Sequence, residues 1–85
     1  MAERRRRRLL QRLLSGSKNI RFTEAVACAE AFGFRLSRIS GSHHIYVHAD
    51  SPELVNLQSV NGKAKPYQVK QVRQVILKYR LGEDA

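Results

Sequence analysis

The sequence predicts an α+β fold in the order α-β-β-β-α, a three-stranded antiparallel sheet with two helices on one face. Two apolar stripes at helical spacing flank a stretch in which apolar and polar residues alternate, and turn residues cut that stretch into three. At 85 residues the chain has room for one small domain and none for a second catalytic one.

The first stripe is Phe22, Ala25, Val26, Ala29 and Phe32, at i, i+3, i+4, i+7 and i+10, with Glu24 and Glu30 off it. Thr23 is suited to cap the first turn, Glu24 to its positive end and Gly33 to a left-handed stop. Phe34 to Arg38 then alternates, Ser40-Gly41-Ser42 supplies a turn, and Ile45-Tyr46-Val47 resumes a β-prone run, so two paired strands are expected. Asp50-Ser51-Pro52 reads as a second turn before a third strand, Leu54-Val55-Asn56-Leu57, which carries Val55 and Leu57 on one face and is closed by Asn61-Gly62. Pro66 opens the last helix, whose stripe is Val69, Val72, Ile76 and Tyr79, and Gly82 marks its end. Laying both stripes on one sheet face buries them and leaves the other face free for a ligand.

This folded domain is expected over residues 18–82, after a basic, flexible leader (1–17) and before a short tail (83–85). Lys plus Arg number 16 against 7 acidic residues, a formal charge of +9, and residues 1–21 alone carry +7. Such an excess suits an acidic partner. Arg4 to Arg8 is an unbroken run of like charge, so residues 1–8 are expected to be disordered. Leu9, Leu10, Leu13 and Leu14 suit a short surface amphipathic helix from about Arg6 to Leu14, ended by Ser15-Gly16-Ser17; a solvated leader with a transient helix is the first reading of it, and contact with RNA or lipid the alternative. The single cysteine, Cys28, forms no internal disulfide and lies within an apolar helical pattern, which fits a reducing, cytoplasmic setting. No run of about 18 apolar residues exists to span a bilayer, and no membrane partner is expected.

The chemistry concentrates in His43, His44 and His48. With one enclosed thiol, no Cys-x-x-Cys pair and the nearby acids in a turn, three or four metal ligands do not assemble, so neither a metal nor another cofactor is expected. A histidine among cations suits RNA cleavage. The substrate brings its own nucleophile, the 2′-hydroxyl, and needs a proton acceptor, a proton donor and charge stabilisation at phosphorus. Lys63 and Lys65 precede the last helix, where backbone donors already favour an anion, and Lys70 follows Pro66 by one turn. Arg38 and Lys70 are further candidates to hold phosphate.

The stretches RISGSHHIYV (Arg38 to Val47), HADSPELVNLQ and GKAKPYQVKQV closely resemble the HicA family of small toxins from prokaryotic toxin–antitoxin pairs. The likeness covers roughly Ser15 to Leu81, is most specific at Gly41-Ser42-His43 followed by Tyr46, and leaves out the arginine-rich leader. It implies a fold like the double-stranded-RNA-binding domain. It also implies a ribosome-independent, metal-independent endoribonuclease that cleaves mRNA, blocks translation and is neutralised by a HicB-type antitoxin. The family's catalytic histidine maps to His43. On their own chemistry, Gly41 reads as the structural turn residue and Arg38, Lys63, Lys65 and Lys70 as RNA-binding candidates.

Alternation puts His44, Tyr46 and His48 on one face and His43, Ile45 and Val47 on the other. A strictly regular strand would turn His43 toward the core, which favours His44. His43 nonetheless follows a turn directly, where a rim position is open to it, so both histidines stay candidates. A non-catalytic double-stranded-RNA-binding module is the rival class. A membrane-active cationic peptide would account for residues 1–14 alone.

Overall fold

The structure, a computed structural model of the chain, describes residues 2–16 and 18–82. Seven elements follow in order: α1 (Ala2–Leu14), α2 (Phe22–Ala31), β1 (Arg35–Ser40), β2 (His43–His48), β3 (Ser51–Val60), β4 (Lys63–Ala64) and α3 (Pro66–Lys78). The fold is α+β, with an antiparallel sheet in the order β1-β2-β3-β4. The sheet thus has four strands where three were expected, and the leader helix α1 joins the two helices of the expected domain.

The additional strand comes from the Asn61-Gly62 turn. Both residues take positive φ, 53° and 80°, the pattern of a type I′ hairpin, so the chain reverses at once and pairs Val60 with Lys63 and Ser59 with Ala64. Only Lys63 and Ala64 separate that turn from the helix start, too few for an alternation to show. The expected turn at Asp50-Ser51-Pro52 also shifts, since the chain turns at Ala49-Asp50 and Ser51 already belongs to β3.

The helix ends depart from expectation in two places. Residue Arg21, not Thr23, is the N-cap of α2, and its backbone N–H donates to Glu24 Oε1 at 2.8 Å. At the other end Gly33 N–H donates to Glu30 O and Phe34 N–H to Ala29 O, both at 3.0 Å, the paired bonds of a Schellman stop. The α3 helix ends at Lys78, before Gly82. There Arg80, at φ 53°, takes the left-handed position while Leu81 N–H reaches back to Ile76 O.

Burial gives each helix its place. Ala25, Cys28 and Ala29 of α2 and Val69, Val72, Val75 and Ile76 of α3 share one core with Tyr46, Val55 and Leu57 of the sheet. Both helices therefore cover the same sheet face. The far end of α3 is tied down by Glu53, whose Oε2 accepts from Lys78 Nζ at 2.8 Å and from Tyr79 Oη at 2.6 Å.

The α1 helix begins at Ala2, earlier than the expected Arg6, so residues 2–8 are helical where the arginine run suggested disorder. Leu9, Leu10 and Leu13 pack against the core, Leu13 with no exposure at all. Arg73 Nη1 donates to Leu13 O at 3.0 Å, and Arg12 pairs with Glu24 at 3.1 Å. Ser17 and the expected tail, residues 83–85, lie outside the described residues.

Candidate active site

Pairing fixes the two faces of β2. Tyr46 lies opposite Val55 and His44 opposite Leu57, so His44, Tyr46 and His48 share the helix-covered face. His43, opposite Gln58, and Ile45, opposite Asn56, therefore occupy the face that no helix covers. The alternation was legible, but the expectation that regularity turns His43 toward the core is reversed. The residue taken into the core is Tyr46, 3% exposed, whereas Ile45 and Val47 stay half-buried on the open face.

Position 43 follows a two-residue hairpin turn, since Ser40 pairs with His43 across Gly41-Ser42. Positive φ at Gly41 (61°) but not at Ser42 is the pattern of a type II′ turn, which puts glycine first. No atom lies within 4 Å of where a Cβ on Gly41 would stand, so glycine is there for its backbone conformation, not for space. Gln58 Nε2 donates to Ser42 Oγ at 2.9 Å and braces the turn, while Gln58 Oε1 is buried without a partner among the described residues.

The His43 ring is half-buried against Asn56, with Asn56 Nδ2 at 2.9 Å and Oδ1 at 3.2 Å from Nδ1. Nδ1 is therefore engaged by protein, and Nε2 is the nitrogen left for a substrate. His44 has Nδ1 engaged, and His48 has both ring nitrogens bonded. His44 stands edge-on to Phe22, 5.0 Å between ring centres, and its Nδ1 is 3.2 Å from Ser42 O. His48 donates from Nε2 to Phe32 O at 2.8 Å and accepts at Nδ1 from Asp50 N–H at 2.9 Å, with Phe34 edge-on at 5.1 Å.

Of the cations singled out, Arg38 and Lys63 fall on the His43 face. Arg38 is exposed on β1 opposite Ile45, and Lys63 lies opposite Val60, which shares Gln58's face. The strand spacing of about 4.8 Å sets Lys63 roughly 10 Å from the β2 line. Its Nζ donates to Asn19 Oδ1 at 3.0 Å. Lys65 is the N-cap of α3, its ammonium 5.9 Å from the Tyr67 ring centre, at the edge of a shallow hollow lined by Lys18, Asn19, Lys63 and Pro66. Lys70 is exposed one turn into α3, in the helical layer, and does not join His43.

Asn56 and Gln58 were missed as site residues. Their signal was present: they alternate with Val55 and Leu57 along β3, and antiparallel pairing with β2 sets them beside His43. Among the described residues no three His, Cys, Asp or Glu side chains gather as metal ligands, and no helix is long and apolar enough to cross a membrane.

These features define a small α+β domain that presents one histidine, backed by an amide and flanked by cations, on a helix-free sheet face. The chain belongs to the HicA toxin family. The family model described as the HicA toxin of bacterial toxin–antitoxin matches residues 22–78, from the start of α2 to the end of α3, and membership implies a paired antitoxin. No curated protein and no solved structure is a significant match to this chain.

Proposed function

We propose that this chain is a metal-independent endoribonuclease that cleaves mRNA in the cytoplasm, blocks translation and is neutralised by a HicB-type antitoxin. The observation that carries the reading is His43 on the open sheet face, with Nδ1 held by Asn56 and Nε2 left for substrate. In the reaction Nε2 takes the proton of a ribose 2′-hydroxyl as that oxygen attacks the adjacent phosphorus. The P–O5′ bond breaks and the departing oxygen receives a proton from the imidazolium, leaving a 2′,3′-cyclic phosphate and a 5′-hydroxyl. Arg38, Lys63 and Lys65 hold the phosphate and offset its developing charge, with Lys70 extending the contact along the backbone. Two helices on one face of an antiparallel sheet also fit the expected likeness to double-stranded-RNA-binding domains, which read RNA by shape and charge. An antitoxin surface laid over His43, Lys63 and Lys65 silences the site by occlusion.

The test is cleavage of a purified mRNA by the full chain, with and without chelator, against His43→Ala and His44→Ala. Cleavage that survives chelator and is lost in His43→Ala alone is expected. Loss with chelator sinks the metal-free mechanism, and loss in His44→Ala alone moves the chemistry to His44. RNA binding without any cleavage favours the rival reading, a non-catalytic double-stranded-RNA-binding module.

A further inference from the structure

The α1 helix lies outside the family match, and nothing in the site above uses it. It is nevertheless held firmly. Leu13 is buried, Arg12 donates to Glu24 and to Asn19 O, and Arg73 holds Leu13 O. Arg6 and Arg7 line a hollow with Leu10, Phe32, Ile76 and Leu81, while Arg4, Arg5 and Arg8 cluster beside Leu9. Arg4, Arg5, Arg7 and Arg8 are exposed.

By itself this arrangement works against the helix. Arg4–Arg8, Arg4–Arg7 and Arg5–Arg8 are like-charge neighbours at i+4 and i+3, and all sit in the first two turns, at the positive end of the helix dipole. A polyanion relieves both penalties. The four guanidinium groups rise over about 6 Å of helix, and each offers the planar fork that suits phosphate oxygens.

We infer that the exposed arginine face of α1 is a second RNA-backbone site, separate from the His43 face, that supplies affinity without touching the scissile phosphate. The inference rests on the RNA-directed reading above. A lipid surface is disfavoured by the packing. An interfacial helix must sink its apolar side into the bilayer, and here Leu9, Leu10 and Leu13 are already committed to the protein core.

The experiment measures binding of a fluorescent 20-nucleotide RNA to the full chain carrying His43→Ala, so that turnover plays no part, across a salt series. Arg4, Arg5, Arg7 and Arg8 are then changed together to Gln, and separately to Lys. Each phosphate contact contributes about 0.7 to the slope of log affinity against log salt for a single strand, so the Gln variant should lose about 2 to 3 in slope and the Lys variant should keep it. Amide shifts on adding the RNA to the His43→Ala protein should include residues 4–12, a readout that stands even if the Gln variant folds poorly. An unchanged slope, or shifts confined to the sheet and the start of α3, overturns the inference and leaves the RNA reading standing. No RNA binding at any salt removes both. Arginine-dependent binding to vesicles containing phosphatidylglycerol, with RNA binding unaffected by the Gln changes, overturns it in favour of a membrane.

Discussion

The carboxamide of Asn56 meets Nδ1 of His43 with both of its polar atoms, Nδ2 at 2.9 Å and Oδ1 at 3.2 Å. In the proposed cleavage Nε2 needs a free lone pair to take the 2′-hydroxyl proton, so the ring carries hydrogen on Nδ1 before and after the transfer and donates it to Oδ1 in both states. Asn56 thereby fixes the tautomer and the orientation of the ring, as the orienting partner of a general base does.

Removing His43 should cost about 10² to 10⁴ in cleavage rate, the usual worth of a general acid–base group. Asn56→Ala should cost less, about 2- to 10-fold, the worth of one net hydrogen bond. Asn56→Asp sets a carboxylate against the ring, favours the imidazolium and should move the pH–rate profile to higher pH. Single-turnover cleavage across pH, with RNA affinity measured in parallel, checks all three. An Asn56→Ala enzyme with unaltered rate and profile would remove Asn56 from the site.

His48 supports the fold. Both of its ring nitrogens are bonded, to Phe32 O and Asp50 N–H, and a Cβ on Gly33 would stand 2.8 Å from its Nε2. His48→Ala leaves a carbonyl and an amide without partners in a half-buried site, so we expect about 2 kcal/mol of destabilisation and a melting temperature lower by roughly 10 °C. Thermal melting followed by circular dichroism measures it. A variant that melts like the parent but no longer cleaves would show that His48 acts in catalysis instead.

Acid should loosen the start of α2. The backbone N–H of Arg21, and after it the Arg12 guanidinium, hold the Glu24 carboxyl below its ordinary value of 4.5. A carboxyl lowered in the folded state stabilises above its unfolded value and loses that contribution as pH falls through the folded one. Glu24→Ala should therefore cost about 1 kcal/mol at pH 7, as the loss of a helix cap does, and the gap from the parent should close toward pH 3. Urea unfolding at the two pH values is the measurement, and a gap independent of pH would contradict the assignment.

Much of the fold could be read from spacing, because periods of 3.6 and 2 report burial directly. The stripes from Phe22 and from Val69 became α2 and α3, and Val55 with Leu57 marked the covered face of β3. Spacing does not say which side of an alternating strand a core claims, so strict alternation alone pointed His43 inward, whereas Tyr46, the bulkiest of the run, is the residue taken inward. Two-residue strands carry no period, which hid β4. The early start of α1 was hidden by charge, since five arginines disfavour an isolated helix, and the packing of Leu9, Leu10 and Leu13 with the bonds of Arg12 and Arg73 offsets that. Asn56 needed the strand register as well as the alternation, and a single strand read by itself does not contain its partner's register.

Cys28 offers a probe of how tightly α2 is held. The thiol is buried in the core, and burial pushes it up to about 12. The thiolate is the reactive form, so at pH 8 only about one part in 10⁴ is ionised, and that fraction is shielded as well. Iodoacetamide should leave the native protein unmodified and add one equivalent in denaturant, where the single cysteine is released. Labelling in native buffer then reports opening of the core. His48→Ala and Glu24→Ala, which weaken the two ends of α2, should label faster than the parent in proportion to their lost stability. Rapid labelling of the parent under native conditions would mean that α2 opens locally, well below the cost of global unfolding.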